Sequence, residues 1–220
     1  MVLDKKRTAV DPILTFFAQR FIRINPDVFT WTSLIFALIA GLFFYLSTEP
    51  NEIIIHYLLY GSLFVFLNGL FDAIDGKIAR ITQTASPRGD FLDHALDRYA
   101  DVCIIGGIAL SAWCDTRIGV FAITGMLLTS YMGTQAQAVG LKRMYAGLLG
   151  RADRIAILII VPIIQYIMIY YHYPYLWNLS LIEWAMIYLA VVGNITAIQR
   201  FTSTLIYFKK EKIKKRRGKK

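Results

Sequence analysis

Two pairs of aspartates stand out by their spacing. Asp72 and Asp75 close one apolar stretch and Asp93 and Asp97 open the next, in the run Asp72-x-x-Asp75-Gly76-x-x-Ala79-Arg80, eight residues, Gly89-x-x-x-Asp93-x-x-x-Asp97. Separations of three and four residues place the members of each pair on one helix face. Two helix ends joined by a loop can therefore aim four carboxylates at one point. Carboxylates at the edge of a bilayer are expensive and require partners or a task. Four that converge repel one another, and one or two divalent cations are the cheapest remedy. Oxygen-only ligands favour Mg²⁺ or Mn²⁺ over zinc, which prefers nitrogen and sulfur. Such ions neutralise phosphate oxygens during in-line displacement, so the pattern points to phosphoryl chemistry at a membrane surface.

The neighbouring residues fit that chemistry, each with a plainer alternative. Gly76 and Gly89 let a phosphate or a base approach the backbone, or else serve helix packing or a turn. Arg80 can donate a bidentate contact to phosphate, or else anchor a membrane flank. Lys77 and Arg88 are weaker candidates of the same kind. His94, beside Asp93, is expected to point elsewhere and to take a hydrogen-bonded packing role. Asp101 continues the Asp93/Asp97 face one turn deeper and is expected to pair with Arg98 rather than to bind metal. Ion pairs with Arg98 and Arg80 would account for two of the four carboxylates, which leaves a structural role incomplete.

The elements that must position these groups are apolar. Of 220 residues 56% are hydrophobic, more than a soluble core of this size needs. Six stretches, near 30–47, 53–71, 92–113, 118–138, 155–171 and 181–206, are long enough or nearly so to span ~30 Å of hydrocarbon. The fold class expected is all-α, a polytopic membrane protein of six transmembrane helices forming one domain over 1–220, with the catalytic bundle at 30–206. The first stretch starts late and no small-residue cleavage site follows it, so a cleaved signal peptide is not expected. Residues 11–23 mix apolar and basic side chains and predict an interfacial helix, with Asp11 as its cap, Pro12 at its first position, and Leu14, Phe17, Phe21 and Ile22 near one face. Residues 140–153 are a second interfacial candidate, and 207–220 form a basic tail.

Charge orients the bundle. Lysines and arginines precede the first stretch and fill the connections that hold Lys77, Arg80 and Arg88, and Lys142, Arg143, Arg151 and Arg154, whereas Arg117 alone occupies the opposite connections at 47–52, 114–117 and 172–183. The positive-inside rule puts both termini and the aspartates in the cytoplasm, and the location expected is the cell membrane. The net charge of +9 is thus juxtamembrane, drawn to anionic lipid rather than to nucleic acid. Cys103 and Cys114 offer neither a disulfide framework nor metal-ligand spacing.

The run from Asp72 to Asp97 matches at every defining position the signature of the class-I CDP-alcohol phosphotransferases, and the chain resembles that family over nearly its whole length. Pro26-Asp27-x-x-Thr30 is similar to the family's Pro-Asn-x-x-Thr opening of the first span, with Asp for Asn. The resemblance implies a reaction in which an alcohol hydroxyl attacks the lipid-side phosphate of a CDP-linked donor and CMP leaves. It implies that Asp72, Asp75 and Asp93 hold Mg²⁺ or Mn²⁺, that Asp97 is the general base and touches a second metal, and that Gly76, Arg80, Gly89 and Asp72 hold the cytidine diphosphate. Gly150-Arg151-x-x-Arg154 resembles the basic pair that grips an acceptor phosphate in relatives, and Lys142 is grouped with it. Gln135 and Gln137 stand where relatives using inositol phosphate carry Arg and Glu. The acceptor implied is a phosphorylated polyol, glycerol phosphate or inositol phosphate, with serine or another small alcohol as the alternative. The segments around 133–140 and 147–154 resemble archaeal members, which would imply a CDP-archaeol donor. The family also implies a homodimer, and Gly107 and Ser111, four residues apart, would permit close helix contact.

Other classes fit less well. A proton- or cation-coupled transporter should carry acidic groups near the midplane of several spans, and often internal repeats. A prenyl-transfer enzyme also uses Asp-x-x-Asp pairs, but not this spacing of Gly76, Arg80 and Gly89. A membrane scaffold leaves the carboxylates unexplained.

Overall fold

The computed structural model describes residues 7–47, 52–141, 147–148 and 150–217. Among them are seven α-helices: α1 (Arg7–Arg20), α2 (Pro26–Leu46), α3 (Glu52–Ile81), α4 (Pro87–Ala109), α5 (Thr116–Ala138), α6 (Arg151–Tyr170) and α7 (Leu181–Arg217). Two-residue strands β1 (Tyr175–Leu176) and β2 (Leu179–Ser180) pair antiparallel before α7.

Local chemistry sets where the helices begin. Asn25 accepts a hydrogen bond from the Asp27 amide at 3.0 Å and Pro26 follows at the first position of α2. Ser86 and Pro87 open α4 in the same way, with the Gly89 amide donating to Ser86 Oγ at 3.1 Å. Asp115 caps α5 by accepting from the Arg117 amide and side chain, bonds that hold its carboxyl below the usual carboxylate range. Between α3 and α4 the chain turns through Gln83 at φ +57°, and the Thr84 amide donates back to the Ala79 carbonyl at 3.0 Å.

The helices run up and down between two ends. Arg88 at the start of α4 meets Asp27 at the start of α2, and Arg151 at the start of α6 meets Asp72 near the end of α3. At the other end Trp113 Nε1 donates to the Ser47 carbonyl, Ser180 Oγ to the Trp113 carbonyl, and the Asp115 amide to Glu183. In the packing, α2 lies on α3 and α4, α3 on α6, and α5 on α4 and α7. A core of Phe44, Leu58, Ile104, Ile105, Ile108, Met186 and Leu189 fills the middle. Gly41 of α2 lies so close to α4 that a Cβ there would strike the Cys103 carbonyl, and a Cβ on Gly107 would strike Gly41.

Four helices, α2, α3 (from Ile55), α6 and α7 (to Lys210), are long and apolar enough to cross a membrane. The outer face of α2 shows why the bilayer is the natural solvent: Trp31, Ile35, Leu38 and Leu42 form a stripe, each about half exposed. Helices α4 and α5 are long but more polar; α4 carries the acidic cluster and its arginines.

Several expectations require correction. Helix α1 begins at Arg7, so Asp11 and Pro12 lie inside it and Asp11 is not its cap; the Asp11 carboxylate instead takes an ion pair with Lys77 at 2.8 Å. Leu14 and Ala18 pack on the protein, whereas Phe16, Phe17, Phe21 and Ile22 are exposed. Helix α3 continues to Ile81, so Asp72, Asp75 and Arg80 lie within it. Helix α4 starts at Pro87 and stops at Ala109, so 110–113 leave the helix, and α7 continues through the basic tail to Arg217. Gly107 and Ser111 are buried inside the chain, Gly107 against Gly41, and are spent on internal packing rather than on a second copy. Lys142 and Arg143 lie outside the described residues, as do 144–146 and 149 of the 140–153 segment.

Candidate active site

The last three turns of α3 and the first turns of α4 bring the aspartates together. One oxygen from each of Asp72, Asp75 and Asp93 lies within 4.8 Å of the others. Asp93, His94 and Asp97 offer a second such trio. Asp75 and Asp97 are buried, at 5% and 6% exposure, and Asp72 and Asp93 are half-buried. Asp75 Oδ2 is buried with no hydrogen-bond partner. A shielded, unpartnered carboxylate oxygen beside two other carboxylates is unfavourable by itself. The donor set is all oxygen at the first trio, which suits a hard divalent cation.

Cations of the chain flank the far side of this cluster. Arg151 Nη1 lies 2.6 Å from Asp72 Oδ2 and Arg151 Nη2 lies 2.5 Å from Asp97 Oδ1, so one guanidinium forks between α3 and α4. Arg98 Nη2 reaches Asp97 Oδ2 at 3.1 Å and Nη1 donates to Ser130 Oγ of α5 at 2.5 Å. Arg154, 4% exposed, pairs with Asp101 at 2.5 Å, a tighter contact than the 3.8 Å between Asp101 and Arg98. Asp101 is thus paired, as its position implied, but mainly to a residue 53 positions away. Arg80 contacts none of the aspartates; its Nε donates to the Gly76 carbonyl at 2.7 Å. His94 does not point away from the cluster: Nε2 lies 3.2 Å from Asp90 and Nδ1 lies 3.5 Å from Asp93.

The near side is an open cavity of about 610 Å³. Asp75 and Asp93 form its wall toward the carboxylates, and Gly76, Arg80 and Gly89 also line it. A Cβ on Gly76 would come no nearer than 3.7 Å to Arg80, and one on Gly89 no nearer than 3.4 Å to Ser86. Packing therefore does not demand glycine at either place, unlike Gly41 and Gly107. Asp72, Asp97, Arg151 and Arg154 do not line this cavity.

The opposite wall comes from the segment joining α1 to α2, including Arg23 and Asn25, and from the first turns of α2, including Asp27 and Thr30. Asp27 Oδ2 accepts from Arg88 Nη1 at 2.6 Å across the rim. No expectation from the sequence puts this wall in the site; the signal for it is Pro26-Asp27-x-x-Thr30.

Comparison with known proteins finds a family and relatives that span most of the chain. The family model for CDP-alcohol phosphatidyltransferase matches residues 23–196. The phosphatidylinositol phosphate synthase of Cutibacterium acnes is 29% identical over 186 residues, covering 82% of this chain and 85% of that one. The archaetidylinositol phosphate synthase of Pyrococcus horikoshii is 30% identical over 137 residues, covering 62% and 68%. The crystal structure of the Mycobacterium tuberculosis phosphatidylinositol phosphate synthase with CDP-DAG bound superposes with a TM-score of 0.70 at 25% identity, covering 88% of this chain and 94% of that one.

Proposed function

The chain belongs to the CDP-alcohol phosphatidyltransferase family, and from that premise we propose that it transfers the phospholipid part of a CDP-activated lipid to the hydroxyl of a phosphorylated polyol, releasing CMP. The observation that carries this reading is the convergence of Asp72, Asp75 and Asp93 within 4.8 Å beside a cavity lined by Gly76, Arg80 and Gly89. Inositol phosphate is the acceptor we favour, because the relatives just described are named for it.

The site divides into two sides. The cavity takes the cytidine diphosphate, with Arg80 and the glycine backbones against its phosphates and the 25–30 segment as the far wall. Asp72, Asp75, Asp93 and Asp97 would hold one or two Mg²⁺ or Mn²⁺ ions, which neutralise the pyrophosphate oxygens as charge develops. Asp97 accepts the proton of the acceptor hydroxyl. The hydroxyl oxygen forms a bond to the lipid-side phosphorus, the bond from that phosphorus to the oxygen of CMP breaks, and CMP departs with the electron pair. Arg151 and Arg154, away from the nucleotide cavity, supply cationic groups for the acceptor phosphate, and Lys142 is grouped with them from the sequence alone.

The wider setting belongs to the same reading. Helices α4 and α5 join the four apolar helices to make six spans, α1 lies in the interface, and the basic connections face the cytoplasm of a cell membrane. The unit is a single membrane domain. A homodimer, if formed, must use a surface other than Gly107 and Ser111.

The test is direct. Membranes containing the protein are incubated with labelled CDP-diacylglycerol or CDP-archaeol, Mg²⁺ or Mn²⁺, and inositol phosphate, glycerol phosphate or serine in turn. CMP release with inositol phosphate, abolished by chelation and restored by either ion, is the expected result. Absence of CMP release with every acceptor would refute the proposal.

A further inference from the structure

Arg151 occupies an unusual place for a group assigned to the acceptor. It is the first residue of α6, yet its guanidinium reaches across to α3 and α4 and bridges Asp72 at 2.6 Å and Asp97 at 2.5 Å. Its Nε is buried without a hydrogen-bond partner, so the bridge leaves one donor unsatisfied. Its side chain is 24% exposed, which leaves it reachable. Arg154, one helical turn on, shares the unpartnered Nε but is 4% exposed and anchored on Asp101, outside the carboxylate trio of Asp72, Asp75 and Asp93.

Asp72 is thus asked to serve two cations. One oxygen accepts from Arg151 while the carboxylate also belongs to the trio suited to a divalent ion. A guanidinium and a dication sharing a carboxylate repel each other, and each weakens the other's hold. We propose that Arg151 is an exchangeable counter-ion: it competes with the divalent cation for Asp72 and Asp97, and when the cation is captured it is released to the acceptor phosphate. The inference rests on the proposed function and goes beyond it in assigning an order. Metal capture with the donor comes first, and the acceptor anion gains its arginine only afterwards. Linkage makes the effect reciprocal, so an anion that draws Arg151 away must strengthen metal binding by the factor by which metal strengthens anion binding.

The experiment follows free Mn²⁺ by electron paramagnetic resonance during titration of the detergent-solubilised full chain, with and without inorganic phosphate. Arg151→Gln should bind Mn²⁺ about tenfold more tightly than the wild type, the effect expected for removing a unit charge several ångströms from a dication. Arg151→Lys, which keeps the charge, should return affinity toward the wild-type value. Inorganic phosphate should tighten Mn²⁺ binding in the wild type and much less in Arg151→Gln. A misfolded variant would lose affinity rather than gain it, and Arg151→Lys checks the fold further. Equal or weaker Mn²⁺ binding by Arg151→Gln overturns the competition while leaving the proposed function intact. An equal phosphate effect in both proteins means that phosphate sits on the metal and overturns the release. If the wild type takes up no Mn²⁺, the metal reading of the function falls and this inference falls with it.

Discussion

Asp72 and Asp97 look alike in the sequence and are set apart by what they touch. Both pair with Arg151, but Asp72 joins the all-oxygen trio with Asp75 and Asp93, whereas Asp97 is buried, takes a second arginine, Arg98, and joins the trio that includes His94. Asp97→Asn should therefore abolish turnover while keeping CDP-lipid binding better than Asp72→Asn does. Equilibrium binding of CDP-lipid beside single-turnover rates checks this, and equal loss of binding in both variants would reject the division of roles. The arginines separate similarly. Arg151→Ala should mainly raise the acceptor KM. Arg154→Ala should in addition cost about 3–5 kcal/mol of stability, because it strands the buried Asp101 carboxylate. Acceptor kinetics together with thermal melts distinguish these; a change confined to the CDP-lipid KM would refute the acceptor assignment. The four aspartates were legible because spacings of three and four fix a helix face locally. The Arg151 fork was not, since Asp72 and Arg151 are 79 residues apart and no periodicity reports a contact between helices.

At the scale of elements, the glycines divide into two kinds that sequence alone does not distinguish. Gly41 lets α2 and α4 touch backbone to backbone, so Gly41→Ala forces the helices apart. The expected cost is about 1–3 kcal/mol, lowering the melting midpoint by roughly 2–4 °C per kcal/mol. Gly76 sits within α3 with room for a methyl group. Gly76→Ala should leave stability unchanged or raise it by about 0.5–1 kcal/mol through helix propensity. It should nevertheless weaken CDP-lipid binding, because the methyl group takes space at the cavity wall. Melting curves and nucleotide binding measured on both variants read the contrast, and a Gly76→Ala protein that melts early but binds normally would reassign this glycine to packing. The number of long helices was readable from apolar length, but their ends were not. Helix α3 outlasts its apolar stretch because backbone hydrogen bonding continues until the left-handed turn at Gln83. Helix α4 starts earlier than its apolar stretch because Ser86 and Pro87 form a cap. Polarity limits what lipid tolerates; it does not terminate a helix whose polar face is covered by neighbours.

For the whole molecule, the two ends have different chemistry, and this supports the proposed orientation of the bundle. The aspartates, Arg88 and Arg151 gather at one end. The other is built from Trp113, Ser47, Ser180 and the short β-hairpin, with Tyr173 and Trp177 projecting at 76% and 82% exposure. Cations gathered at one end are the distribution that an anionic inner leaflet favours, while exposed Tyr and Trp suit either membrane–water boundary. With Cys103 and Cys114 replaced by serine, Tyr173→Cys should react with a membrane-impermeant maleimide in intact cells. Lys210→Cys, on the exposed last part of α7, should react only after permeabilisation. The reverse pattern would place the carboxylates outside the cell, away from a cytoplasmic pool of CDP-activated lipid, and would refute the orientation. Labelling of both positions in intact cells would mean that α7 does not span. The apolar stripe Trp31, Ile35, Leu38 and Leu42 then supplies the remaining constraint. It keeps α2 against lipid, while the buried opposite face, with Ala37, Ala40 and Gly41, holds α3 and α4 in the register that brings Asp72 and Asp75 opposite Asp93.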